Sequence, residues 1–105
     1  KLIIENNIVF VDITADWCVT CQFNKINIIN SEIIQNAFQE NKIIKVKGDW
    51  TKTNKIIEEY LNSYNRFGVP FNVMYGQSYP DGIILSEILT TKEIISTVKK
   101  LKQKN

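Results

Sequence analysis

The two cysteines of this 105-residue chain, Cys18 and Cys21, stand three positions apart just after the apolar run Ile8 to Ile13. The run reads as a buried strand, and Val19, Phe23, Ile26 and Ile29 recur behind it at helical spacing. Cys18 therefore falls at a helix N-terminus. There, unpaired backbone N–H groups and the positive end of the helix dipole stabilise an anion, so its thiol should ionise more readily than a free one. Cys21 follows one turn later on the same side, within reach of a mixed disulfide formed at Cys18. The pair reads as nucleophile and resolver in thiol:disulfide chemistry.

Two plainer readings compete with this one. A structural disulfide across two residues closes a very small loop and removes little entropy from the unfolded chain. A structural zinc site needs about four ligands, and this chain offers two cysteines and no histidine. No metal and no cofactor are called for.

With 44% hydrophobic residues, the chain is long enough to bury a core as one domain, residues 1–105, without a disulfide to hold it. Thirteen basic and eleven acidic residues leave a charge of +2, too small and dispersed to argue for nucleic acid, so a protein partner is favoured. Lys99, Lys100, Lys102 and Lys104 cluster at the C-terminus, where the dipole of a last helix favours them. No apolar run approaches the roughly 20 residues that a membrane-spanning helix needs.

Along the chain, Ile8 to Thr14 reads as a first strand and the cysteine helix continues to about Ile29. Ile33, Ile34, Ala37 and Phe38 predict a second helix ending near Asn41, and Ile43 to Lys47 a short strand. Thr53 is placed to cap a third helix that buries Ile56, Ile57, Tyr60, Leu61 and Tyr64. Gly68-Val69-Pro70 precedes a strand, Phe71 to Tyr75. Pro80-Asp81-Gly82 then predicts the turn of a hairpin into Ile83 to Leu85. Thr90 and Glu93 fit a capping box for a last helix lined by Ile94, Ile95, Val98 and Leu101. Strands that alternate with helices and then close in a hairpin imply an α/β fold with a mixed central sheet and helices on both faces.

The cysteine pair, the proline that opens a later strand and this order of elements together resemble a thioredoxin fold. Val11-Asp12-Ile13-Thr14-Ala15-Asp16-Trp17-Cys18-Val19-Thr20-Cys21 is similar to the active site of the C-terminal, thioredoxin-like domain of the DsbD family of transmembrane thiol:disulfide interchange proteins. Asp49-Trp50-Thr51 and Arg66-Phe67-Gly68-Val69-Pro70-Phe71 resemble its ScsB-type members.

The resemblance implies an exposed nucleophile at Cys18, a buried partner at Cys21, and a buried carboxylate at Asp12 that exchanges protons as the second thiol reacts. A carboxylate inside an apolar strand is costly to bury in its charged form, which independently raises its proton affinity. Pro70 would be a cis proline facing the cysteines, with Val69 offering its backbone to a partner segment. Trp17 and Phe71 complete the expected docking set, and Trp50 and Phe67 read as packing residues. Lys25 and Phe71 depart from the family pattern: Lys25 stands where a carboxylate is common, and Phe71 replaces a polar residue.

The resemblance further implies a domain cut from a larger protein tethered to the bacterial inner membrane and facing the periplasm. Such a domain, most simply a monomer, takes electrons from a membrane-embedded donor and passes them to partner proteins through transient mixed disulfides. A protein-disulfide reductase is thus the leading expectation. An oxidase or isomerase of the same chemistry and a non-catalytic binding module are the alternatives.

Overall fold

Strand β1 (Val9–Thr14) lies between two neighbours, and its alternating side chains enter two different cores. The computed structural model describes residues 7–102, which leaves Lys104 outside the described residues. After β1 come α1 (Val19–Asn24), a π-helical turn (Lys25–Ile29), α2 (Glu32–Glu40), β2 (Ile44–Asp49) and α3 (Lys55–Ser63). Strands β3 (Phe71–Gly76) and β4 (Tyr79–Ile84) and helix α4 (Thr91–Lys102) complete the order. The sheet runs β2-β1-β3-β4, with β1 parallel to β2 and antiparallel to β3, and β3 antiparallel to β4. This is the mixed sheet that the element order demanded.

Because side chains alternate along a strand, Phe10 and Met74 face α2 and α4, while Val9, Ile13, Val73 and Tyr75 face α3. The first core also holds Ile34, Phe38, Leu89 and Ile94, and the rings of Phe10 and Phe38 lie 5.2 Å apart. The second centres on Leu61 and Phe71. Beside it the hydroxyls of Tyr60 and Tyr64 meet that of Tyr75, and Tyr64 also donates to the Asp81 carbonyl at 2.9 Å. Burial pushes the Tyr60 phenol up to about 12.

Several local expectations are corrected. The third helix is capped by Asn54, whose side-chain oxygen accepts the Ile57 N–H at 3.0 Å, rather than by Thr53. Ile56 is 78% exposed instead of buried, because only Ile57, Tyr60, Leu61 and Tyr64 turn toward the sheet. Ile33 of α2 is likewise exposed. The hairpin turns at residues 77 and 78, so Pro80, Asp81 and Gly82 lie inside β4. As the sheet's edge strand, β4 tolerates a proline that donates no hydrogen bond, and Gly82 takes a positive φ of 88° that a side chain would strain. The Thr90 hydroxyl accepts the Glu93 N–H, but the Glu93 carboxylate turns to the N–H and hydroxyl of Ser86 instead of closing a capping box.

The cysteine helix also departs from its expected form. It passes into a π-helical turn after Asn24, closed by Asn30 N–H donating to the Lys25 carbonyl at 2.9 Å. Of its four periodic apolar residues only Ile29 is buried, while Val19, Phe23 and Ile26 face solvent. Its inward face instead carries Asn24, 2% exposed, whose amide donates to the Glu87 carbonyl at 2.8 Å and accepts the Leu89 N–H at 3.0 Å. These bonds tie α1 to the loop between β4 and α4. Asn24→Leu strands both loop partners without a hydrogen bond, a cost of about 1–3 kcal/mol, to be read as a lower urea midpoint.

Candidate redox site

β1 delivers the chain to the site at Thr14, and a short loop turns it into α1. The loop closes through the Cys18 N–H on the Ala15 carbonyl at 3.1 Å, which also accepts the Gln22 side chain at 3.2 Å. Thr51, after β2, holds the loop from the other side. Its hydroxyl accepts the Asp16 N–H at 2.9 Å, and its carbonyl accepts the Trp17 ring N–H at 3.1 Å. Asp49 in turn accepts the hydroxyl and N–H of Thr51, and those bonds hold its carboxyl below the usual range. The Asp49-Trp50-Thr51 segment is therefore a brace for the site. Sequence periodicity carried no sign of it, because it depends on the parallel pairing of Thr14 with Asp49.

Cys18 and Cys21 form a disulfide with a Cα–Cα distance of 5.2 Å. Cys18 is the N-cap of α1, and its sulfur accepts the Cys21 N–H at 3.1 Å. In the reduced form, this donor would favour negative charge on that sulfur. Both cysteines are buried, with Cys18 6% exposed, which corrects the expectation of an exposed Cys18. The physical reason is local: the pair packs with Ala15 and half-buried Val69 in a small cluster of its own. The Val69–Pro70 peptide is cis.

The other expected site residues divide. Trp17 is 59% exposed at the mouth of the site, its ring 6.4 Å from that of Trp50. Trp50 packs on the α3 core as expected. Phe67 does not pack: it is 80% exposed. Phe71 is corrected in the opposite sense. Its side chain is 2% exposed in the α3 core, between Tyr60 and Tyr64 and beneath the Arg66 guanidinium 5.4 Å from the ring centre. A residue turned inward in this way has no side-chain surface to offer a partner.

Asp12 lies on the face of β1 that also carries Phe10, opposite Lys47 on β2 and Asn72 on β3. Its carboxylate accepts the Asn72 side-chain N–H at 2.8 Å, and Asn72 itself is 2% exposed. It lines a cavity of about 190 Å³ with Thr14, Gln22, Lys25, Lys45 and Lys47. Burial raises its proton affinity above the ordinary carboxylate value, against the Asn72 hydrogen bond and the charges of Lys47 and Lys25, which lower it. Burial wins. Lys25, the departure from the family pattern, therefore acts on Asp12 by stabilising its charged form.

A thioredoxin-like family model matches residues 5–77. The chain belongs to the thioredoxin-like family. Among curated relatives, this thioredoxin-like chain is 26% identical over 72 residues to the thiol:disulfide interchange protein DsbD of Pasteurella multocida. That match takes in 69% of the chain but only 12% of the relative's length. The C-terminal domain of Neisseria meningitidis DsbD in its oxidised form superposes with a TM-score of 0.69 at 20% identity. The superposition covers 90% of this chain and 80% of that one. A point mutant of Halobacterium salinarum thioredoxin gives a TM-score of 0.65 at 17% identity, covering 95% of this chain and 79% of that one. The fold, the paired cysteines and the DsbD relative together identify a thioredoxin-like domain equipped for thiol:disulfide exchange.

The raised affinity of Asp12 has a consequence for stability. A group that holds its proton more tightly folded than unfolded favours the fold below its unfolded value of 3.8, and that advantage is lost as pH rises through the folded value. Asp12→Asn, which keeps the shape and removes the charge, should therefore be more stable than the wild type at pH 7. The gain should shrink to nothing as pH falls below 3.8, as read from urea midpoints of both proteins across that range.

Proposed function

We propose that this domain is a protein-disulfide reductase that relays electrons between proteins. The observation that carries the reading is the seating of the Cys18–Cys21 pair at the start of α1 against Val69, beside the cis Val69–Pro70 peptide. In the proposed cycle the reduced Cys18 thiolate attacks one sulfur of a partner disulfide and the other sulfur leaves as a thiolate. A mixed disulfide then joins Cys18 to the partner. Cys21 gives its proton toward the Asp12 carboxylate and attacks the Cys18 sulfur, expelling the partner's second thiolate. Two electrons have moved to the partner, and the domain is left with the Cys18–Cys21 disulfide.

Trp17, Val69 and Pro70 form the proposed docking edge. Val69 offers backbone N–H and C=O to an extended partner segment, and exposed Trp17 supplies apolar contact beside the nucleophile. Residues 1–105 are read as one domain of a larger protein. Its electrons come from a membrane-embedded dithiol domain, and it works at the periplasmic face of a bacterial inner membrane, as the resemblance to the DsbD family implies. Among the described residues no helix is long and apolar enough to cross a membrane and no group of side chains is placed to hold a metal.

Reduced Cys21→Ser should accumulate a covalent adduct with an oxidised protein substrate through Cys18, and Cys18→Ser should form none. Absence of any adduct would leave a binding module as the better reading. Equilibration with glutathione should give a reduction potential near that of thioredoxins, about −270 mV, whereas a value near −120 mV would mark an oxidant.

A further inference from the structure

The exposed side of α1 and of the π-helical turn after it carries an apolar stripe that no packing among the described residues accounts for. Val19 is 83% exposed, Phe23 48% and Ile26 66%. Val19 and Phe23 lie four residues apart on one face of α1, and Ile26 follows them in the π-helical turn, exposed like them. They are held outward by the opposite face, where Asn24 is locked to the Glu87 carbonyl and the Leu89 N–H. The helix cannot roll to bury the stripe without breaking both bonds. Polar Gln22, Lys25 and Asn27 flank it, and none of its own members is charged.

Its position names its occupant. The stripe begins one residue after Cys18; at about 1.5 Å rise per residue Phe23 lies roughly 8 Å beyond Cys18 along the axis, and Ile26 follows within roughly 5 Å more in the π-helical turn. A standard protein interface covers about 800 Å² on each partner, equivalent to a circle of roughly 16 Å radius. Any protein whose disulfide reaches the Cys18 sulfur in a complex of that size can cover the stripe as well. We infer that Val19, Phe23 and Ile26 form the outer half of the docking surface for the protein that exchanges disulfides with Cys18, and that this partner presents an uncharged, apolar surface beside its disulfide. The inference rests on the redox reading above and extends it, because Trp17, Val69 and Pro70 account only for contacts at the cysteines themselves.

The test is the ratio of two rates measured with the reduced domain, one toward insulin as a folded protein disulfide and one toward oxidised glutathione, which is too small to span the stripe. In Phe23→Gln and Ile26→Gln the insulin-to-glutathione ratio should fall about tenfold, whereas in Ile56→Gln, a control on α3, it should hold. Should Phe23→Gln fail to fold, the more exposed Ile26 carries the same test. An unchanged ratio in both stripe variants of an active domain overturns the inference alone. So does loss of wild-type binding to phospholipid vesicles in those variants with the ratio unchanged, which would assign the stripe to a membrane surface. A wild type inert toward glutathione overturns the redox reading itself.

Discussion

The alternation of β1 between two cores is the constraint on which the rest of the structure depends. With β2 on one side and β3 on the other, every second side chain is committed to the α3 face and the rest to the α2 and α4 face. A slip of one residue would exchange Phe10 for Val11 and turn Asp12 into the α3 core. Register thus fixes both where the hydrophobic mass goes and where the single carboxylate of the strand emerges. It also sets Thr14 opposite Asp49, and through that pairing it brings Thr51 to the loop that carries the cysteines.

Two opposed electrostatic requirements meet at the end of this strand. Burial disfavours charge on Asp12, while Asn72 and two lysines across the cavity favour it. A carboxylate held in that balance suits the proton exchange proposed for Asp12. The cysteines meet a different environment, a small apolar cluster with Ala15 and Val69 and one backbone N–H directed at the Cys18 sulfur. The polar cavity that holds Asp12 and the apolar cluster that holds the two sulfurs are thus separate surroundings, joined through the turn from β1 into α1.

Much of this was legible in the residues. The strand and helix order, the last helix and the seating of the two cysteines at the start of a helix follow from spacing and periodicity, which are local properties. Errors arose where local signals were satisfied by distant partners. Gly82 and Pro80 carry turn chemistry, yet the chain turns at residues 77 and 78 because the register of β3 against β4 places the reversal there. Phe71 stands beside the cis proline, yet the inward phase of β3 sends its ring into the core. Asn24 and Asn72 gave no signal at all, since a buried amide is recognised only by the partners it meets across the fold.

What the sequence determined by itself is the chemistry: two thiols one helical turn apart behind an apolar strand that carries a single carboxylate. Spacing and side-chain type suffice for that, because they act within a few residues. The tertiary structure decided which face each group occupies. Strand register buried Phe71 and set Asp12 against Asn72, and the Asn24 hydrogen bonds fixed the roll of α1, leaving Val19, Phe23 and Ile26 in solvent. These outcomes depend on contacts more than sixty residues apart in the chain for Asn24. Periodicity along one segment carries no information about them.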